Sequence, residues 1–94
     1  MTDLQMQFMN LIARCEMNQI NGAVPHCADD VNTYLWADER ASAMGISEKA
    51  VGGVITSLQT AGLIGIYIDK DDSGVWFTEA GFAAWNAGVC ADKA

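Results

Sequence analysis

Between Ile46 and Phe77 the apolar residues change period, and this change constrains the fold of the chain more than any other feature. Ala50, Val51, Val54, Ile55 and Leu58 recur at the spacing of one helix face. From Ile64 the spacing falls to two. Ile64, Ile66 and Ile68 alternate with Gly65 and Tyr67, and then Val75 and Phe77 flank Trp76. A helix followed by a two-stranded ribbon is expected, with Gly62 as the helix C-terminal cap. Pairing Ile68 with Val75 and Ile66 with Phe77 sets Tyr67 opposite Trp76, a cross-strand pair that stabilises a hairpin by up to about 1 kcal/mol.

The segment joining the two strands, Asp69 to Gly74 ("DKDDSG"), also resembles the start of an EF-hand calcium loop. An EF-hand needs a bidentate Glu at its twelfth position and helices on both sides. The twelfth residue from Asp69 is Ala80, Glu79 falls one short, and the flanks are strands. The stretch reads as a hairpin tip, with no metal ligands.

The chain before this ribbon is helical by pattern. Leu4, Phe8, Leu11, Ile12 and Cys15 mark one face of a helix from about Asp3 to Met17, opened by a Thr2/Gln5 capping box. Pro25 follows in a connecting loop or at the first turn of the next helix. From Ala28 to Met44 there is neither Gly nor Pro, and the segment reads as one helix or as a helix broken near Thr33. Gly45 ends it, and Ser47 caps the next helix. After the ribbon, Thr78-Glu79-Ala80-Gly81 opens a last helix carrying Phe82, Trp85 and Val89, which fades after Gly88. The methionines Met1, Met6, Met9, Met17 and Met44 read as packing filler.

Helix, glycine turn, helix, hairpin and closing helix make an α+β, mostly helical chain. The expected fold is a winged helix-turn-helix of three or four helices plus a two-stranded antiparallel hairpin. One domain is expected over residues 1–94, with the helix-turn-helix at about 28–62, the wing at about 63–78 and the C-terminal helix at about 79–88. A chain of 94 residues that is 51% hydrophobic can build one modest core of this kind.

The stretch "ASAMGISEKAVGGVITSLQTAGLIGIYIDKDDSGVWFTEAG", Ala41 to Gly81, resembles the DNA-binding core of the MarR-like family of transcription regulators. The likeness is carried by Met44-Gly45-Ile46-Ser47, by Leu58 to Gly62-Leu63, by the wing Asp69 to Gly74, and by Phe77-Thr78-Glu79-Ala80-Gly81. It implies a recognition helix in the major groove and a wing on the backbone. Carried over by position, the groove-facing residues are Ser47, Glu48, Lys49, Gly52, Gly53 and Thr56, with Ser57 marginal. Ser47, Lys49, Gly53 and Thr56 would meet bases or phosphates, and Lys70 the DNA backbone. The resemblance also implies dimerisation through terminal helices, so a homodimer is compatible with the chain.

Charge points elsewhere. Twelve acids oppose five bases, a net charge of −7. From Gly45 to Gly81 only Lys49 and Lys70 face Glu48, Asp69, Asp71, Asp72 and Glu79, and Ser73-Gly74 stand where related wings carry arginines. Two lysines neutralise about two phosphates, against roughly six to ten in a tight binder. A rival reading follows: an acidic winged-helix module that meets a protein partner through an exposed Tyr67-Trp76 pair and binds no DNA. Gly52-Gly53 fits either close backbone approach to a partner or close packing on a neighbouring helix.

Other chemistry is poorly represented. His26-Cys27 with Asp29-Asp30 matches no compact metal site. Cysteine with a single histidine and no third group is too little for nucleophilic catalysis, and no phosphate loop follows a strand. Neither an enzyme nor a cofactor is expected. Cys15, Cys27 and Cys90 are odd in number and far apart, which suits a reducing compartment. The chain opens without an Arg-rich or hydrophobic leader and has no membrane-length apolar run, so a cytoplasmic setting is expected.

Overall fold

The computed structural model describes residues 1–15, 18, 24–69 and 73–93, the last five by backbone alone. Helix α1 spans Asp3–Ala13 and opens with the expected capping box: Gln5 N donates to Thr2 Oγ1 at 3.1 Å, and Thr2 N donates to Gln5 Oε1 at 2.8 Å. Its buried face is Phe8, Met9, Ile12 and Ala13, a phase that leaves Leu4 exposed. The helix stops four residues short of Met17, which itself lies outside the described residues. Asn18 supplies the reason. Its buried Nδ2 donates to Ile12 O and Ala13 O, both at 3.0 Å, and so satisfies carbonyls that a longer helix would have used.

The segment expected as one helix from Ala28, or as a helix broken near Thr33, does break there: it forms a 3-10 turn at Ala28–Asp30, strand β1 at Asn32–Tyr34 and helix α2 at Ala37–Met44, so the part before the break is not an α-helix. Val31 and Thr33 point inward while Asn32 is exposed, so the stretch follows a strand period. Helix α3 spans Glu48–Thr60 and buries Val51, Val54 and Leu58; Ala50 is exposed. Both helices end as their glycines predict. Gly45 and Gly62 have φ of +69° and +75°. Ile46 N donates to Ala41 O, and Leu63 N to Leu58 O, the six-to-one bond of a Schellman ending.

Strands β2 (Ile64–Ile68) and β3 (Ser73–Phe77) form the hairpin, with residues 70–72 of its tip outside the described ones. The sheet has three strands in the order β1-β3-β2, all antiparallel, where two were expected. The hairpin register also differs from the expected one. Ile66 pairs with Val75 and Ile64 with Phe77, so Tyr67 faces Gly74 and Trp76 faces Gly65. A two-residue slip keeps every side chain on its face, so alternation alone cannot distinguish the two registers. The glycines decide. A Cβ at Gly74 would enter the ring of Tyr67, and one at Gly65 the ring of Trp76. Each aromatic therefore lies over a glycine, and the two rings stack diagonally with centroids 6.2 Å apart.

Helix α4 spans Glu79–Lys93 and does not fade at Gly88. The thioether of Met6 on α1 occupies the place of a Gly88 side chain, so this glycine is a packing notch within a continuous helix. Thr78 joins α4 to the end of α3. Its Oγ1 accepts from Gly81 N at 3.0 Å and donates to Gly62 O at 2.7 Å, while its N–H donates to Leu63 O at 3.2 Å. A Cβ on Gly81 would collide with Leu63 O. The Phe-Thr-x-x-Gly motif is thus a helix cap welded to a tight backbone crossing.

The core lies between the helices and the inner sheet face: Phe8, Met9, Ile12, Val31, Val51, Leu58, Val75, Phe77 and Trp85 are all at most 3% exposed. Ile66 is half-buried. Of the methionines expected as filler, Met9 and Met44 are buried and Met6 packs on the core, whereas Met1 is exposed. Among the described residues no helix is long and apolar enough to cross a membrane.

Candidate nucleic-acid interface

The turn between α2 and α3 positions the candidate surface. Gly45 reverses the chain, and the Ser47 hydroxyl accepts from Ala50 N at 3.1 Å, fixing the first turn of α3. Because Val51, Val54 and Leu58 face the core, Lys49, Gly53 and Thr56 fall on the opposite side at spacings of four and three. All three are exposed, as are Ser47 and Glu48. Ser57 turns away: its hydroxyl donates to Val54 O at 2.8 Å and accepts from Gln5 Nε2 at 2.9 Å, tying α3 to α1.

The glycine pair can now be assigned. Among the described residues, and apart from the helix's own backbone and the adjoining residues, no atom lies within 4 Å of a Cβ built on Gly52 or on Gly53. Packing against a neighbouring helix therefore does not explain either residue. At Gly53 the helix backbone is exposed and bare, bounded by Ser47, Lys49 and Thr56, and Gly52 beside it is half-buried.

Of the other expected site residues, Lys70 lies outside the described ones. Tyr67 and Trp76 are on the outer sheet face, apart from the α3 surface, and are 46% and 37% exposed. Two aromatic neighbours escaped the sequence reading. Tyr34 on β1 stacks on Trp36 with centroids 5.2 Å apart, and Arg40 lies over the Trp36 ring at 5.8 Å. The alternation V-N-T-Y-L-W over residues 31–36 carried the signal, but the helix formers around it masked it.

Trp36 has φ 40° and ψ 61°, the left-handed region, where a bulky residue costs on the order of 1 to 3 kcal/mol. Arg40 holds it there. Its Nε donates to Leu35 O at 3.3 Å and its Nη2 to Tyr34 O at 3.1 Å, while Leu35 N donates to Ser73 O at 2.8 Å.

A surface cleft of about 240 Å³ lies between the 3-10 turn and the start of α4, lined by His26, Cys27, Asp29, Glu79 and Phe82. Among the described residues no three His, Cys, Asp or Glu side chains are arranged to hold a metal. Asp30 is occupied locally, accepting from His26 N at 2.8 Å.

No protein-family model matches the chain, and no curated protein matches it in sequence. Among solved structures it is similar to a "putative DNA-binding protein" from Ralstonia eutropha JMP134. The TM-score is 0.59 at 18% identity, over 93% of this chain and 95% of that one. The match takes in nearly the whole of this chain, whose described residues form four α-helices and a three-stranded antiparallel sheet, consistent with a winged-helix fold.

Proposed function

We propose that this chain is a cytoplasmic, non-enzymatic winged-helix regulator of the MarR-like type that binds duplex DNA through α3. The observation that carries the proposal is the exposed, side-chain-free backbone at Gly53, continued by half-buried Gly52 and set among Ser47, Lys49 and Thr56. Side-chain-free backbone allows a helix to approach a phosphate closely, and helix-turn-helix proteins place this helix in the major groove. The description of the Ralstonia protein as DNA-binding supports the same use of the fold. In this reading Ser47, Lys49, Gly53 and Thr56 meet bases or phosphates, Gly53 through its backbone, and Lys70 meets the DNA backbone from the wing.

The charge predicts weak binding by the isolated chain. With Lys49 and Lys70 as the two cations proposed to meet phosphates, log affinity should fall against log salt with a slope of about −1 to −2 per protomer. Fluorescence anisotropy with a labelled random duplex at about 20 mM salt, where the electrostatic term is strongest, tests the proposal. Wild type should bind, and changing Lys49 and Lys70 together to Glu should abolish the signal. Absence of binding by wild type under these conditions would falsify the DNA-binding role of the isolated chain.

A further inference from the structure

The outer sheet face offers a second surface that uses none of the α3 residues. The register puts Asn32, Tyr34, Gly65, Tyr67, Gly74 and Trp76 on this face. Tyr67 and Trp76 lie over Gly74 and Gly65, and both rings remain open to solvent in part. Glycine inside a strand commonly marks such close approach, and here it occurs twice in one hairpin. Trp36, 39% exposed, extends the row from the end of β1 with its backbone held in the left-handed region by the Arg40 contacts. The rings are thus fixed in place before any partner arrives.

The electrostatics identify the occupant. Ring faces are the negative side of an aromatic quadrupole and attract cations. One such contact already exists, Arg40 over Trp36. Asp38 and Glu39 follow Trp36 in the first turn of α2, both exposed, and Asp69 follows the Tyr67 strand. The whole chain carries −7. A single-stranded nucleic acid could stack on the rings, but the strand residues of this face include no lysine or arginine to meet its phosphates and Arg40 is already engaged by Tyr34 O, Leu35 O and the Trp36 ring, while a second copy of the chain would bring acid against acid. We propose that the outer sheet face docks an arginine- or lysine-bearing segment of another protein, with ring faces as anchors and the acids as attraction.

The test uses fluorescein-labelled hexa-arginine amide, hexa-glutamate amide and a 20-nucleotide oligo(dT), each titrated with the full chain at low salt. Hexa-arginine should bind, and the other two should not. Trp76→Leu and Tyr67→Leu should each weaken hexa-arginine by roughly fivefold, the scale of one cation-ring contact. Trp36→Gly guards against misfolding, because glycine adopts the observed φ without strain. It too should weaken binding while the variant stays folded by circular dichroism. Asp3→Asn, at the start of α1, should leave binding unchanged. Equal affinity of wild type and all three ring variants would reduce the effect to general charge attraction and overturn the proposal. Oligo(dT) bound in a ring-dependent manner would replace it with a nucleic-acid platform. Ring-dependent self-association would replace it with a homodimer face.

Discussion

Replacing Gly52 and Gly53 with alanine separates what the fold requires from what α3 is used for. Both residues are interior to a thirteen-residue helix, where glycine is less favourable than alanine by about 0.5 to 1 kcal/mol. Such substitutions normally carry a risk of collision. Here none is present among the described residues, because apart from the helix's own backbone and the adjoining residues no atom lies within 4 Å of either built Cβ. The double variant should therefore gain about 1 to 2 kcal/mol, equivalent to a rise of roughly 4 to 16 °C in Tm for a domain of this size. Urea and thermal melts measure the gain. Gly81→Ala is the control in the opposite direction: its Cβ would meet Leu63 O, so a loss of about 1 to 3 kcal/mol is expected. Duplex binding by the stabilised double variant should fall at least about fivefold, the equivalent of 1 kcal/mol of lost contact, because two methyl groups now separate the helix backbone from the phosphates. Failure to gain stability would show that the outward side of α3 is covered. A gain in stability with unchanged DNA affinity would refute close approach as the reason for the glycines.

Leu58→Ala should cost about 2 to 5 kcal/mol in denaturant melts, since Leu58 is fully buried, whereas the exposed Thr56→Ala should be near neutral; equal small losses would mean that the phase of α3 is wrong. Thr78→Val keeps the shape but removes the hydroxyl that bonds both Gly81 N and Gly62 O, and should cost about 1 to 2 kcal/mol; no change in a urea midpoint would rule out the cap as a structural joint. Calcium titrated by calorimetry should show no site at Asp69, Asp71 and Ser73, because β2 and β3 flank the segment; binding in the micromolar range would contradict the hairpin.

Features settled within a few residues of chain were legible in the sequence. The Thr2/Gln5 box, the Ser47 cap and the left-handed glycines at 45 and 62 satisfy backbone groups no more than five residues away, so local chemistry determines them. The outward placement of Ser47, Lys49, Gly53 and Thr56 likewise follows from the helical period that buries Val51, Val54 and Leu58. What depends on distant partners was not legible. Asn32–Tyr34 is a strand because β3, about forty residues later, supplies its hydrogen bonds, and this overrides the helix formers around it. The hairpin register depends on which aromatic lies over which glycine, and period-two alternation is blind to a shift of two. Gly52, Gly53, Gly81 and Gly88 are the same residue type in the sequence. Only the tertiary structure separates them, because a glycine's role is set by what occupies the space of its missing side chain: nothing at the first two, Leu63 O at the third and Met6 at the fourth.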